Sequence, residues 1–524
     1  RVGRAELLGR EGGALMRDKV VPFVLLAALA GLGVLAAVRT KPPHDAPLVR
    51  VQEEGDASGD ASALDAAALD AAARDAAVAA DPADAVAAPA SDGAPPTQVV
   101  KLLDRPLRVT TLGAALAAPG TMAFAPGATR PFELELCPVE SLAKVEGRLV
   151  RGGADADGAD IAIVALPDLV AATERLRALE PQAFLLVGFS QAAERLVPLA
   201  APGASRAPAA TGEVKVFVPA GERLASRQWM ALFALDAAGA SPSRVKFVVA
   251  DERASITHRE AAFVAGSFLD KYDGEHLLST VEAAGLVPYV AITTKHTLTA
   301  NEPLVRAFAQ AWLAGLERAQ SDAGGAAKRV LAKEGAVFST AAELSGELGG
   351  VVERLGRVSR VTLDDNARLL GASAAAAARR APLEALSAAT VDAYRDAGLL
   401  TTAPSWPLVE RKVISAIAKD TSPQPTQPPA EKLDCSRSRR RPVATRKEQG
   451  PTLDEAALLR RVEVDAVAYE GCALRVSLKG GEKPSATFAQ GARDKLGLSA
   501  QKVLAGATAS PGPALIEVVP PPAP

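Results

Sequence analysis

Between Leu107 and Ala250 the sequence alternates short, mostly apolar runs with amphipathic ones, and this alternation restricts the fold more than any single motif. LRVTTLG (107–113), FELELCPV (132–139), DIAIVAL (160–166), AFLLVGF (183–189), VKVFVPA (214–220) and VKFVVA (245–250) read as strands. Short runs rich in Val, Ile and Phe and bounded by turn residues suit strands covered on both faces. LVAATERLRAL follows the third run with helical spacing, and a helix from Ser226 to Ala238 follows the fifth and stops at Gly239. Strands alternating with helices predict parallel α/β layers. VKVFVPA opens a fresh unit after a Pro/Ala-rich loop, so two lobes are expected, the second at about 213–288. From Asn301 onward the chain reads as mostly helix, with Trp312 on the same apolar face as Phe308 and Leu316 and hence a core residue.

The chain has 524 residues, enough for two or three domains, and an apolar share of 48% that fills a core and excludes wholesale disorder. A formal net charge of -2 gives no global attraction to nucleic acid, and none is expected as a partner. Cys137, Cys435 and Cys472 follow no metal-ligand spacing and His44, His258, His276 and His296 are scattered, so neither a metal site nor a cofactor is expected. Cys137 sits in an apolar strand and reads as a small core residue, while Cys435 and Cys472 are candidates for a pair in an oxidising compartment.

Residues 20–38, VVPFVLLAALAGLGVLAAV, form an uncharged apolar run bounded by Lys19, Arg39 and Lys41, long enough for a transmembrane helix. Arg10, Arg17 and Lys19 precede it and an acidic Ala/Asp tract follows, which predicts a cytoplasmic N-terminus and an extracytoplasmic body. A cleaved signal peptide is the competing expectation, and Met16, just before the charged flank, is a candidate start. Residues 1–44 are thus read as tail and anchor, and residues 45–98 as a solvated tether in which Asp60, Asp65, Asp70 and Asp75 recur at a spacing that fits neither helix nor strand. The α/β body is placed at 99–420. A Pro-rich and basic linker, with the run Arg437 to Arg441, spans 421–451, and a small α+β module occupies 452–524. In that module DEAALLRR reads as a short helix, VEVDAVAY and ALRVSLK as a hairpin turning at Gly471, AQGARDKLGLSAQKVLAG as helical and ALIEVVP as a last strand. No residue of the module carries catalytic chemistry, so partner contact or a scaffold role is expected.

In open α/β sheets, ligands bind outside the carboxyl ends of the strands. DGADIAIVALPDLVA (157–171) is such an end: Pro167 suits a first helical turn, and Asp168 either caps the helix or faces a ligand. VGFSQA (187–192) places Ser190 between a strand and the helical-looking QAAERL, an order that resembles the nucleophile elbow of α/β-hydrolases. That reading needs a histidine from His258, His276 or His296, and no motif supplies one, so no catalytic residue is assigned and a serine hydrolase remains an alternative.

A broader resemblance spans roughly residues 105–410. LRVTTLG, the stretch from DGADIAIVALPDLVA to VGFSQAAERLV, VKVFVPAGERLASRQWMALFALDAAGASPSRVKFV and YVAITTKHTLTANEPLVRAFAQAWLAGLERA together resemble the substrate-binding proteins of ABC transporters of the nitrate, sulfonate and thiamine-precursor type. The resemblance implies a two-lobed periplasmic-binding-protein type 2 fold that closes on a small anionic or heterocyclic solute, without catalysis, and hands it to an ABC permease. It makes Leu166 to Asp168 part of a first-lobe cleft wall and Ser190 the point where the chain leaves that lobe. Thr110 and Thr111 at the end of the first strand, and Ser226 at the second-lobe helix, then offer hydroxyls, and Arg223 and Arg227 either pair with an anionic ligand or remain solvated. Where the family carries a Ser/Thr-rich turn, this chain has Glu222-Arg223-Leu224-Ala225, which leaves a degenerate receptor used as an envelope scaffold as a further alternative.

Overall fold

The structure is a computed structural model that describes residues 101–123, 131–191, 194–199, 208, 211–221, 223–250, 261–266, 276–333, 352, 356, 358–359, 361–372, 379–420, 435, 439–443, 454–510 and 512–522. The apolar run at 20–38, the Ala/Asp tract and most of the Pro-rich linker lie outside these residues. Among the described residues no helix is long and apolar enough to cross a membrane.

Strands β1 (Leu107–Leu112), β2 (Leu134–Val139), β3 (Ile161–Ala165) and β4 (Gln182–Phe189) appear in chain order. The chain then enters a second sheet with β5 (Arg195–Pro198), β6 (Val214–Pro219), β7 (Val245–Ala250), β8 (Phe263–Gly266) and β9 (Leu278–Ser279), and returns to the first with β10 (Pro288–Thr293). The first sheet has the order β2-β1-β3-β10-β4 and the second β7-β6-β8-β5-β9. Strands β1, β2 and β3 run parallel, and β10 is antiparallel to both β3 and β4. In the second sheet β6, β7 and β8 run parallel and β5 opposes β8 and β9. The antiparallel strand in each sheet is therefore the first one laid down after the chain crosses over. This geometry puts both crossovers, 190–194 and 280–287, at the rim where the parallel strands end.

The two crossovers are bonded to each other. Ser190 N–H donates to Val287 O at 2.8 Å, Thr280 N–H to Glu194 O at 2.9 Å, and Glu194 N–H to the Thr280 hydroxyl at 3.2 Å. Strands β3 and β4 are buried at every position, as continuous apolar runs require in a sheet covered on both faces. Trp312 is buried on the helix Glu302–Ser321 beside Phe308, and Gly315 of that helix lets Pro119 O approach so closely that a Cβ would lie 2.1 Å from it. Cys137, in contrast to the expectation of a core residue, is only half-buried, because β2 forms the open edge of its sheet.

Three further departures have local causes. The QAAERL segment does not form the expected helix: Gln191 and Glu194 are irregular and Arg195 already belongs to β5, its backbone drawn out by pairing with β8. The second sheet thereby takes in β5, which precedes residue 213. VEVDAVAY is not a strand but the second half of the helix Glu455–Ala468, which Asp454 caps by accepting from Ala456 N–H and Ala457 N–H. Residues 464–468 are buried without a gap, since the helix has neighbours on several sides, and its sequence alternates without being a strand.

In the C-terminal part, β11 (Arg439–Val443), β12 (Ala473–Leu478), β13 (Val503–Ala505) and β14 (Ala514–Val519) make a sheet of order β11-β14-β12-β13, with the helix Glu482–Leu496 between β12 and β13. A disulfide joins Cys435 to Cys472. The helix Glu455–Ala468 lies along the helix Pro382–Asp396. Arg461 pairs with Asp236, Phe233 meets Tyr469 at 6.2 Å between ring centroids, and Gly285 N–H donates to Ala468 O at 3.0 Å. Arg368 pairs with Glu470, and Arg380 lies 3.9 Å from Glu463.

Candidate functional site

At the rim, the chemistry gathers on Glu194, a residue absent from the expected set. It is fully buried on the first crossover, and its Oε1 lies 3.2 Å from Arg227 Nε and 3.6 Å from Arg223 Nη1. The two arginines stand one turn apart at the start of the helix Leu224–Ala237, just beyond the carboxyl end of β6, so one carboxylate oxygen serves both. Arg227 is only 7% exposed and Arg223 21%, which corrects the expectation of a solvated face. Their anion is internal, so neither guanidinium waits in isolation for an anionic ligand.

Tyr289, the second residue of β10, lies opposite Ala165 of β3 and Gly188 of β4, at the same rim. Burial raises its phenol pKa, with Arg223 and the neighbouring Ser190 hydroxyl acting against that rise and Glu194 and Asp168 adding to it. Tyr394, on the helix Pro382–Asp396, donates to Ala225 O at 2.6 Å, and its pKa is raised well above the usual value by burial and by Asp168. The phenol of Tyr394 thus stands between the first-lobe helix Leu166–Ala172, which carries Asp168, and the second-lobe helix.

Asp168 is buried and its Oδ2 accepts from Ala165 N–H at 3.2 Å, the capping arrangement that Leu-Pro-Asp suggests. Ser190 is 1% exposed; its Oγ lies beside Tyr289 but closes no well-formed hydrogen bond among the described residues. Ser226 is buried between Ala225 and Arg227 on the helix start. Thr110 donates to Cys137 O and Thr111 to Gly113 O, each at 2.9 Å, so both hydroxyl protons are held by backbone carbonyls of the first lobe. The structure therefore brings Asp168, Ser190, Arg223 and Ser226 to the interlobe rim and gives Thr110 and Thr111 local work.

The elbow arrangement is overturned. Ser190 is bonded to Val287 on one side and bridged to Val358 on the other, and the described residues that follow it, Gln191 and Glu194, are not helical. His276 is 3.0 Å from Glu282, and His296 is exposed beyond the far end of β10 from Tyr289, while His258 lies outside the described residues. A nucleophilic serine needs a base within hydrogen-bond reach, and neither described histidine is placed as one. Among the described residues no cluster of His, Cys, Asp and Glu is fit to hold a metal.

Glu194 was hidden by its apparent helical setting. Tyr289, one of four tyrosines in the chain, had a usable signal: a phenol at the start of an otherwise bare apolar strand.

No protein-family model matches this sequence, and no curated protein aligns with it. Several solved structures share its outline. The alkanesulfonate-binding protein SsuA from Xanthomonas axonopodis pv. citri, bound to MOPS, is 18% identical over 59% of this chain and 100% of its own, with a TM-score of 0.39. The periplasmic aliphatic sulphonate binding protein SsuA from Escherichia coli is 14% identical over 63% and 96%, with a TM-score of 0.38. The ligand-binding component of an ABC-type import system from Staphylococcus aureus, with zinc bound, is 11% identical over 59% and 98%, with a TM-score of 0.40. These are likenesses of outline alone. Their identity and TM-scores are too low to transfer a ligand or a role, and the case for function rests on the residues at the rim.

Proposed function

We propose that this chain is an extracytoplasmic solute-binding protein of an ABC-type uptake system, tethered to the membrane through residues 20–38, that closes its two lobes on a small molecule. The observation that carries this reading is the convergence at one buried rim of Asp168 from the first lobe, Ser190 and Glu194 from one crossover, Tyr289 next to the other, and Arg223 and Arg227 from the second lobe. Buried charge and hydroxyl groups cost stability unless they are paired or used, and a packed scaffold gains more from apolar residues there. Paired crossovers form a hinge, and ligand contacts made by both lobes favour the closed form that a permease or another envelope protein would recognise. The chemistry is reversible binding, with no covalent step.

The test is a thermal-shift screen of the whole chain in detergent against anions, sulfonates, pyrimidines and amino acids. A ligand at a hundred times its Kd adds about 2.7 kcal/mol, a shift of several degrees. A response lost in Ser226→Ala or Arg223→Ala supports binding at the rim. A flat panel refutes it and leaves the envelope scaffold as the reading.

A further inference from the structure

The C-terminal module grips the two-lobed body at points that a hinge motion would separate. Its helix Glu455–Ala468 reaches the second lobe through Arg461, which pairs with Asp236, and the turn that follows does so through Tyr469, whose ring lies 6.2 Å from that of Phe233. The same turn reaches the first lobe. Glu470 pairs with Arg368 on the helix Leu363–Leu369, and Asn366 of that helix is bonded both ways to Leu186 of β4, accepting from its N–H at 2.7 Å and donating to its O at 2.9 Å. Between the two, Ala468 O accepts from Gly285 N–H on the second crossover. One short stretch, residues 461–470, thus touches both lobes and the crossover that joins them.

The spacing of these contacts gives them leverage. Ala225 and Asp236 lie near opposite ends of the second-lobe helix Leu224–Ala237, about 16 Å apart along its axis. Tyr394 holds the first end through Ala225 O, and the module holds the second. A single contact would leave a pivot, whereas two contacts this far apart resist rotation of the lobe about the crossovers. The grip is also stiff: the Lys502 ammonium donates to Tyr469 O at 2.7 Å and to Glu470 O at 2.6 Å, and Cys472 is cross-linked to Cys435. On the second-lobe helix the module's contacts lie at the end remote from Arg223 and Arg227, so they bear on the angle between the lobes rather than on the rim side chains.

Resting on the binding reading above, we infer that the C-terminal module is a brace across the hinge: it holds the two lobes in their present arrangement, and they open to exchange a solute only when the contact between Arg461 and Asp236 is released.

The test is hydrogen exchange on the whole chain in detergent, without any solute. Arg461→Glu sets a carboxylate against Asp236, and Asp236→Arg sets a guanidinium against Arg461, so that like charges repel where the native pair attracts. Each reversal should speed exchange of the Ser190 and Glu194 amides on the first crossover by about tenfold or more, because their bonds to Val287 O and the Thr280 hydroxyl part only when the crossovers separate. Combining the two reversals restores an attracting pair and should return both rates to within about twofold of wild type. Should Arg461→Glu fail to fold, Asp236→Arg makes the same break from the other side. Faster exchange confined to 454–472 and 283–286, with the Ser190 and Glu194 amides at wild-type rates in the reversals, makes the module an appendage and overturns the brace. A combined protein that stays as fast as the single reversals overturns it too. The exchange is read without solute, so failure of the brace leaves the binding reading standing, and a flat solute panel removes that reading whatever the exchange rates.

Discussion

Replacing Gly285 by alanine should loosen the C-terminal module from the two-lobed body without touching the rim side chains. Gly285 lies on the second crossover, and a Cβ built there would sit 1.9 Å from Val467 O on the helix Glu455–Ala468. Carbon and carbonyl oxygen tolerate about 3.3 Å, so the helix has to retreat by about 1.4 Å. Retreat along that line stretches the 3.0 Å bond from Gly285 N–H to Ala468 O beyond about 3.5 Å, where it no longer counts as one. Overpacking of a close contact costs about 1–3 kcal/mol and a lost hydrogen bond about 1, so a loss of about 2–4 kcal/mol is expected. The assay is urea unfolding followed by fluorescence, with hydrogen exchange at 283–286 and 464–469 to localise the change. Gly324→Ala is the control: it lies within the helix Ala323–Lys333 with nothing within 4 Å of its Cβ, and should gain about 0.5–1 kcal/mol. A Gly285→Ala protein within about 0.5 kcal/mol of wild type, with unchanged exchange, would refute the close approach of module and crossover.

Three further outcomes follow from other contacts. Glu194→Ala removes the carboxylate that lies 3.2 Å from the buried Arg227 guanidinium and should cost about 3–5 kcal/mol in urea unfolding, whereas the double change Glu194→Ala with Arg227→Met should recover part of that loss. Reduction, or Cys472→Ser, opens a loop of 37 residues and should destabilise the C-terminal module by about 4 kcal/mol on the chain-entropy account, seen as an earlier melting step in dithiothreitol. Lys502 donates to Tyr469 O and Glu470 O, and burial lowers its pKa to about 8. Its folded-state pKa lies below the unfolded one, so the unfolded chain binds more protons between pH 8 and about 10. Stability should therefore rise with pH across that window, by at most about 1 kcal/mol per unit, and Lys502→Met should flatten the rise. A fall across the window in wild type would refute the burial of the ammonium group.

The strands that carry the fold were legible because β1, β3, β4, β6 and β7 are short runs rich in Val, Ile, Leu and Phe, unbroken in β3 and interrupted elsewhere by polar residues such as Lys215 and Lys246, a local pattern that needs no knowledge of neighbours. Helix ends were legible where a cap is chemical, as at Asp168 and at Gly239, whose φ of +91° suits glycine. Misreadings arose where tertiary pairing overrode the local pattern. Arg195–Pro198 became a strand because β8 supplies a ladder, and VEVDAVAY became a helix because burial on several sides removed the meaning of its alternation.

The site divides in the same way. The sequence by itself determined which residues end the strands, and so which ones reach the rim: Asp168, Ser190, Arg223 and Ser226. Only the tertiary structure decided their partners. It folds one crossover against the other, sets Glu194 beside Arg223 and Arg227 at a chain distance of about thirty residues, and packs the Ser190 hydroxyl beside Tyr289. Charge pairing and hydrogen-bond satisfaction depend on distances of a few ångströms between segments remote in the chain, and periodicity along a single segment carries no record of them.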